Sequence, residues 1–184
     1  LVLAAHLLSA TTNLRVFFNV LVIPYHNPIL LAKGLATLDV ISGGRVTCGV
    51  GAGWMKGEFK QLGIPYEERG AITDEYCRAM KELWTSEAPT FQGKYVSFSN
   101  LSFYPKPVQK PHIPLWIGGS GPRPLRRVVE LGDGWTPMVG TLEELQRDIA
   151  WIRQQAEAAG RDPSKLDFAS SLTIGGMDDV ARRA

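Results

Sequence analysis

The chain has 184 residues, 45% of them hydrophobic and 21% charged, and its formal net charge is +2. This is the composition of a globular protein with enough apolar residues for one sizeable core, and the small charge argues against nucleic acid or an acidic membrane as a partner. The two scattered cysteines, Cys48 and Cys77, form neither a disulfide framework nor a zinc motif, so we expect a reduced, cytoplasmic compartment.

The first half of the chain predicts helices that alternate with buried strands. Residues 1–10 are typical of the end of a buried helix, and residues 14–23 form a continuous apolar run, the pattern of a strand covered on both faces. Asn27 and Pro28 predict the N-cap and first position of a helix that a Gly-Gly pair ends. Its expected apolar face consists of Leu30, Leu31, Leu35, Leu38 and Ile41. The next predicted elements are a strand at 45–50 and helices at 55–62 and 71–84.

The second half begins with an insertion, which we place at residues 89–114. Its first part, TFQGKYVSF, predicts a hairpin around Gln92 and Gly93, and its second part, YPKPVQKPHIP, predicts an extended connector. Thr141 and Glu144 have the spacing of a capping box at a helix start. The elements expected after the insertion are strands at 115–117, 134–138 and 166–174, a helix that follows residues 118–121 and runs through 131, and helices at 141–159 and from 178 onward.

Strands this apolar, alternating with helices, predict a parallel sheet. Two architectures fit: a doubly wound open sheet, or part of a (β/α)8 barrel, which takes about 250 residues. In a barrel the chain would be short by roughly three strand–helix units. Because it also starts without Met, we expect a fragment of a longer protein, poorly stable alone because one strand edge stays open.

Two glycine clusters follow predicted strands. The first, GVGAGW at 49–54, has the spacing GxGxG rather than the dinucleotide fingerprint GxGxxG, and no acidic strand end follows it. Its glycines indicate either tight packing at a strand end or backbone that approaches a flat ring, with Trp54 beside it. The second, GGSG at 118–121, precedes a helix with three arginines, at 123, 126 and 127. It indicates either a phosphate at the helix start or a cap at Ser120 with a solvated basic face.

Two other polar residues are candidates for a site. Asn19 interrupts the apolar run at 14–23, either as a satisfied core residue or bulge or as a distortion that faces a ligand. His26 lies in a strand-to-helix loop and could face an active site. The sequence contains no Ser-His-Asp or HExxH pattern and no carboxylate cluster, so it predicts neither an acid–base constellation nor a metal site.

Four runs carry a family resemblance: residues 15–54, then ERGAITDE, then FYPKPVQKPHIPLWIGG, then LGDGWTP. They resemble the bacterial luciferase-like superfamily, and more narrowly its branch that depends on coenzyme F-420, an 8-hydroxy-5-deazaflavin. The resemblance implies a (β/α)8 TIM barrel that binds a flavin or deazaflavin at the C-terminal strand ends. Residues 1–184 would be one partial barrel domain with the third to seventh strands, about five of eight, and without the first two and the last.

The resemblance also implies roles for single residues. The third strand of the family has a bulge with a non-proline cis peptide bond behind the ring, which corresponds to Asn19 and Val20. Residues beside the ring would be Ala52, Gly53 and Trp54, and residues near the phosphate tail would be Gly118, Gly119 and Ser120. Trp54 and His26 are the candidates for the substrate pocket. The catalytic histidine of the family lies on the second strand, so no catalytic residue is assigned.

The function that the resemblance implies is that of an oxidoreductase acting on a small organic substrate. It would transfer hydride with F-420, or act as a monooxygenase with reduced FMN as the alternative cofactor, and residues 1–184 alone would be inactive. The other class considered is a non-catalytic flavin-binding protein of the same fold. A homodimer is a candidate assembly, while nucleic acid, a membrane and a metal ion are not expected.

Overall fold

The computed structural model describes residues 1–138 and 141–169. The strands are β1 (Val16–Val22), β2 (Val46–Gly51), β3 (Phe91–Gln92), β4 (Ser97–Phe98), β5 (Leu115–Gly118), β6 (Gly134–Thr136) and β7 (Asp167–Phe168). The helices are α1 (Val2–Ser9), α2 (Pro28–Ser42), α3 (Lys56–Gln61), α4 (Arg69–Thr85), α5 (Pro122–Leu131) and α6 (Leu142–Ala158). Among these described elements, no helix is long and apolar enough to span a membrane.

Five strands form one parallel sheet in the order β1-β2-β5-β6-β7. Leu115 and Ile117 of β5 and Trp135 of β6 are fully buried, and so are Leu35 of α2 and Met80 of α4. The core therefore joins strand residues to the apolar faces of the helices, as expected of a parallel α/β sheet. The strand–helix alternation predicted from the sequence is confirmed for the described residues. The predicted strand segment at 170–174 and the helix from 178 lie outside them.

Strand β1 departs from its predicted environment, because its residues are half-buried or exposed rather than covered on both faces. Among the described strands it has one partner, β2, so its other edge gains no cover from a neighbour. The register with β2 shifts between Phe18 and Leu21, which makes a bulge at Asn19 and Val20. The Asn19–Val20 peptide bond is cis, as the resemblance implied.

Helix α2 begins as predicted, because the Asn27 side chain accepts hydrogen bonds from the backbone N–H groups of residues 29 and 30 at 3.0 and 3.2 Å. Its predicted apolar face is wrong at two positions, since Leu30 is 71% exposed and Ile41 is 52% exposed. The buried stripe is Leu31, Ala32, Leu35, Ala36, Leu38, Asp39 and Ser42. Leu30 and Ile41 are three turns apart and share a direction that points away from this stripe.

The insertion contains the predicted hairpin, formed by antiparallel β3 and β4. Two carboxylates attach it to the helices. Glu75 of α4 accepts hydrogen bonds from the backbone N–H groups of residues 94–96 at 2.6 to 2.9 Å. Asp39 of α2 is fully buried and accepts from the backbone N–H groups of residues 108 and 109 and from Gln109 Nε2. The insertion is thus fixed to the helix layer by charge-assisted hydrogen bonds.

Candidate cofactor site

A cavity of about 610 Å³ lies at the C-terminal ends of β1, β2, β5 and β6. Ligands of parallel α/β folds bind at this end of the strands, and the volume is in the usual range for small-molecule sites. Seven of the eight residues predicted to contact a cofactor line it: Asn19, Val20, Ala52, Gly53, Trp54, Gly118 and Gly119. The structure brings together residues that are 100 positions apart in the sequence, although their contact with a cofactor stays a prediction.

The glycines around this cavity make room for the bulge of β1. A Cβ atom on Gly51 would lie 2.5 Å from Val20 Cγ2, and one on Gly118 would lie 2.7 Å from Val20 Cγ1. A Cβ atom on Gly49 would lie 1.8 Å from the carbonyl oxygen of Phe18. Such distances are too short for any real Cβ atom, so the side chain of Val20 occupies the space beside Gly51 and Gly118, and the carbonyl of Phe18 occupies the space beside Gly49.

The third glycine of this cluster, Gly53, has a different requirement. Its φ of +80° is a conformation that glycine adopts without steric cost, and an added Cβ atom would lie 2.8 Å from both Phe59 Cε2 and Val22 Cγ1. Packing therefore accounts for Gly49, Gly51 and Gly53. This was one of the two interpretations that the sequence left open. The side chain of Val20, which is 37% exposed, contributes to the surface available to a ligand here, together with the backbone of the lining glycines.

The loop after β2 is held in place by the start of α4. Arg69 Nε donates to the carbonyl oxygen of Gly53 at 3.1 Å, and the guanidinium lies 3.9 Å from the ring centroid of Tyr66. The hydroxyl of Tyr66 donates to the carbonyl oxygen of Trp54 at 3.2 Å. The indole of Trp54 is 76% exposed at the mouth of the cavity. These bonds fix the backbone of the loop while they leave the Trp54 side chain accessible.

Ser120 lies next to this cavity and lines a neighbouring one, of about 460 Å³, between α5 and α6. Its hydroxyl donates to the carbonyl oxygen of Met138 at 2.8 Å and accepts from the Met138 N–H at 3.0 Å. The predicted capping role is wrong, because the N-cap of α5 is Gly121 and has no side-chain cap. Contact between Ser120 and a phosphate stays a prediction, and it would compete with the bond to Met138.

The start of α5 also offers fewer hydrogen-bond donors than an ordinary helix start. Pro122 and Pro124 have no N–H group, so within the first three helical positions the backbone donor is that of Arg123. Side-chain charge is therefore needed for strong anion binding at this end.

Three arginines supply that charge, since Arg69, Arg123 and Arg127 all line the cavity. Arg127 is buried and donates to Asp74 Oδ1, which compensates its charge. The side chain of Arg123 is exposed and has no hydrogen-bond or ion-pair partner in the described part of the chain. Since no Asp or Glu of the described residues lines the cavity, its walls carry net positive charge. Arg69 was missed by the sequence analysis, although it lies in the ERGAITDE run.

The predicted substrate residue His26 does not line the cavity. It is exposed and follows the 3-10 helix Ile23–Tyr25, where its backbone N–H donates to the carbonyl oxygen of Ile23 at 3.1 Å. The titratable residues that line the described cavity walls are all arginines, so these walls supply charge and shape but no general acid or base. Across residues 1–138 and 141–169, no group of three or more His, Cys, Asp or Glu side chains is placed to hold a metal ion.

Comparison with known proteins agrees with this architecture. An uncharacterized protein of Mycobacterium tuberculosis is 39% identical over 160 residues, which cover 84% of this chain and 54% of that relative. An FMNH2-dependent dimethylsulfone monooxygenase of Pseudomonas putida is 35% identical over 157 residues, which cover 84% of this chain and 43% of the relative. The chain thus spans about half the length of the curated relatives it matches.

The structural comparison gives the same result. A crystallised F-420-dependent secondary alcohol dehydrogenase, in complex with an F-420–acetone adduct, superimposes with a TM-score of 0.79 and 30% identity. The match covers 89% of this chain and 50% of the dehydrogenase chain. A family model described as luciferase-like monooxygenase matches residues 1–181. The chain belongs to this luciferase-like monooxygenase family, and its five-stranded parallel sheet is part of the family's TIM barrel.

Proposed function

We propose that the chain forms the cofactor site of an oxidoreductase that binds coenzyme F-420 and acts on a small organic substrate. FMN is the alternative cofactor, and with it the protein would be a monooxygenase. The observation that carries the proposal is the cavity at the strand ends, where the Val20 bulge, the Trp54 loop and the start of α5 meet.

The residues present fit a tricyclic ring with an anionic tail. A cavity of about 610 Å³ has room for such a ring, and the exposed methyl groups of Val20 offer it an apolar face. Arg123 lies on the first turn of α5 without a compensating acid in the described residues, which suits a phosphate group. No acidic residue lies in the described lining, so no carboxylate there would repel the anionic tail.

The bound cofactor would supply the redox chemistry, and the chain would supply orientation and a water-poor pocket. Val20 would set the position of the ring, because the neighbouring glycines fix where its side chain lies. Trp54, at the mouth, would cover the open face and contact the substrate. Arg123 and the N–H donor of its own backbone would hold the anionic tail.

A second candidate, FMN-dependent monooxygenation, is favoured by the 35% identity to the dimethylsulfone monooxygenase. The F-420-dependent alcohol dehydrogenase, at 30% identity, favours the first candidate. Both candidates use the same cavity, so the choice between them is a question of cofactor binding.

The test is titration of the full-length gene product with F-420 and with FMN, followed by fluorescence quenching. Saturable binding of F-420 without FMN binding is the expected result; binding of FMN alone would transfer the proposal to the second candidate, and binding of neither would refute it. Cofactor binding without turnover of any substrate would instead favour a non-catalytic flavin-binding protein.

A pair of matched variants shows whether the binding occurs in this cavity. Val20→Asp places a charge against the ring face and should abolish binding. Val40→Asp is the control, because Val40 is similarly exposed, at 42%, on α2 and does not line the cavity. Equal loss of binding in both variants would contradict the assigned position of the ring.

A further inference from the structure

A second depression adjoins the cofactor cavity. It is a groove of about 410 Å³ between α4 and α5, and it shares Gly70, Arg123 and Arg127 with the cavity. One wall is the start of α4 with the turn before it. The other wall is one face of α5, at positions 123, 126, 127 and 130, which have the spacing of neighbours on a helix surface. Arg127 Nη2 donates to the carbonyl oxygen of Gly70 at 3.3 Å, so these two shared residues bridge the helices between the cavity and the groove. The side chain of Arg123 is exposed and lines both, so a ligand held there has contact with both depressions.

The charges in this groove are unevenly compensated. Arg127 is paired with Asp74, and Glu130 lies 3.5 Å from Arg78. Glu67, at the outer end, is exposed and 3.8 Å from Lys56. When these pairs are set aside, two cations are left, Arg123 and Arg126. Neither side chain has a hydrogen-bond or ion-pair partner among residues 1–138 and 141–169.

Two unpaired guanidinium groups on one helix face, one turn apart, suit a ligand with more than one anionic group. Arg123 lines both the cavity and the groove, whereas Arg126 lines the groove alone. A phosphate held at the mouth of the cavity would therefore reach Arg123, and Arg126 would be left for an anionic group further along the same ligand.

We propose that the groove between α4 and α5 binds the carboxylate-bearing tail of coenzyme F-420. This inference rests on the proposed function. The phosphate of F-420 is a diester that continues into a lactyl group and a chain of glutamates, whereas FMN ends at its phosphate. Carboxylates beyond the phosphate are thus a property of the deazaflavin cofactor, and Arg126 is placed to select for them.

The test compares three ligands on the full-length gene product: F-420 with its glutamate tail, the deazaflavin ring with ribityl chain but without phosphate and tail, and FMN. The variant is Arg126→Gln, which removes one charge from the groove and leaves the cavity lining intact. The control is Arg15→Gln, which removes the same charge next to the N-terminal end of β1, at the opposite end of the strands.

Arg126→Gln should raise the Kd of tailed F-420 roughly two- to five-fold, the effect of one exposed ion pair. The Kd of the tail-less deazaflavin should not change, nor should any Kd in the Arg15→Gln control. Salt should weaken binding of tailed F-420 more steeply in the unmodified protein than in the variant, because salt screens exposed charges.

Two failures are distinguishable. In the first failure, Arg126→Gln leaves the Kd of tailed F-420 unchanged, or it weakens the binding of tailed and tail-less deazaflavin equally. The groove then does not hold the tail, while the proposed function stands. An acidic substrate as the true occupant of the groove would give the first of these results. In the second failure, the unmodified protein does not bind F-420. If it binds FMN alone, the inference about the groove is overturned; if it binds no cofactor, the proposed function is overturned as well.

Discussion

The assignment of the glycines can be tested with Gly51→Ala. The added Cβ atom would lie 2.5 Å from Val20 Cγ2, while its next contacts, at 3.4 and 3.5 Å, are ordinary van der Waals distances. The φ of Gly51 is not in the left-handed region, so backbone strain plays no part. The substitution is therefore an overpacking of one methyl group against another, which should lower the free energy of unfolding by about 1–3 kcal/mol.

The collision involves one side chain, so removing that side chain should relieve it. Val20→Ala alone should cost about 1 kcal/mol, because its methyl groups are partly exposed. The double variant Val20→Ala/Gly51→Ala should cost no more than Val20→Ala, which makes the two changes non-additive by about 1–3 kcal/mol. Gly57→Ala is the control: an added Cβ atom there meets nothing within 4 Å, so this change in α3 should stabilise by about 0.5 kcal/mol.

The assay is urea unfolding of the full-length gene product and the four variants, with intrinsic fluorescence and circular dichroism as probes. Titration with cofactor gives a second measurement, because Gly51→Ala should displace Val20, which lines the cavity, and thereby weaken cofactor binding. Additive costs in the double variant would refute the reasoning, since the glycine would then be required for something other than the space of Val20. If Gly57→Ala were destabilising, an added methyl group would lower stability even where it meets no neighbour. The cost of Gly51→Ala could then not be assigned to the contact with Val20.

Two further outcomes follow from buried groups. Asp39→Asn should lower the free energy of unfolding by about 2–3 kcal/mol in the same urea assay, because the buried carboxylate accepts three hydrogen bonds at 2.6 to 3.0 Å and the amide replaces one acceptor by a donor. An unchanged stability would show that Asp39 does not hold the insertion. Burial raises the pKa of Cys77 to about 12, so the unfolded chain loses this proton at lower pH than the folded chain. The thiol of Cys77 should thus contribute no pH dependence below pH 9 and lower the stability by up to about 1.4 kcal/mol per pH unit between pH 9 and 12, so Cys77→Ala should make the alkaline decline shallower.

The secondary structure could be predicted from the sequence where a local signal determines it. Asn27 with Pro28, and Thr141 with Glu144, lie within one turn of the N–H groups that they affect, and the structure confirms both helix starts. The apolar face of α2 could not be predicted as well, because ten of its fifteen positions carry apolar side chains. Periodicity then fits more than one stripe, and the sheet and α4 decide which one is buried.

The candidate site was predicted in position but not in detail. The residues at 52–54 and 118–119 follow strand ends, which can be read from the sequence, whereas the roles of Asn19 and Val20, inside β1, came from the family resemblance. The charge of the cavity depends instead on pairing across the fold: Arg127 is neutralised by Asp74, which is 53 positions away, while Arg123 on the same helix has no such partner in the described residues. No local pattern distinguishes the two arginines. For the same reason Ser120 resembled a helix cap, although its partner is Met138 of the next strand–helix loop.

The two glycine clusters were interpreted separately, one for a ring and one for a phosphate, yet the structure connects them through one residue of a third strand. Val20 lies between Gly51 and Gly118, and its position comes from the bulge of β1, which the neighbouring Gly49 makes room for. The wall of the cavity is therefore a joint product of three strands. A larger side chain at Gly51 or Gly118 would displace Val20. Substitutions at either position should therefore weaken the binding of the ring more than the binding of the phosphate.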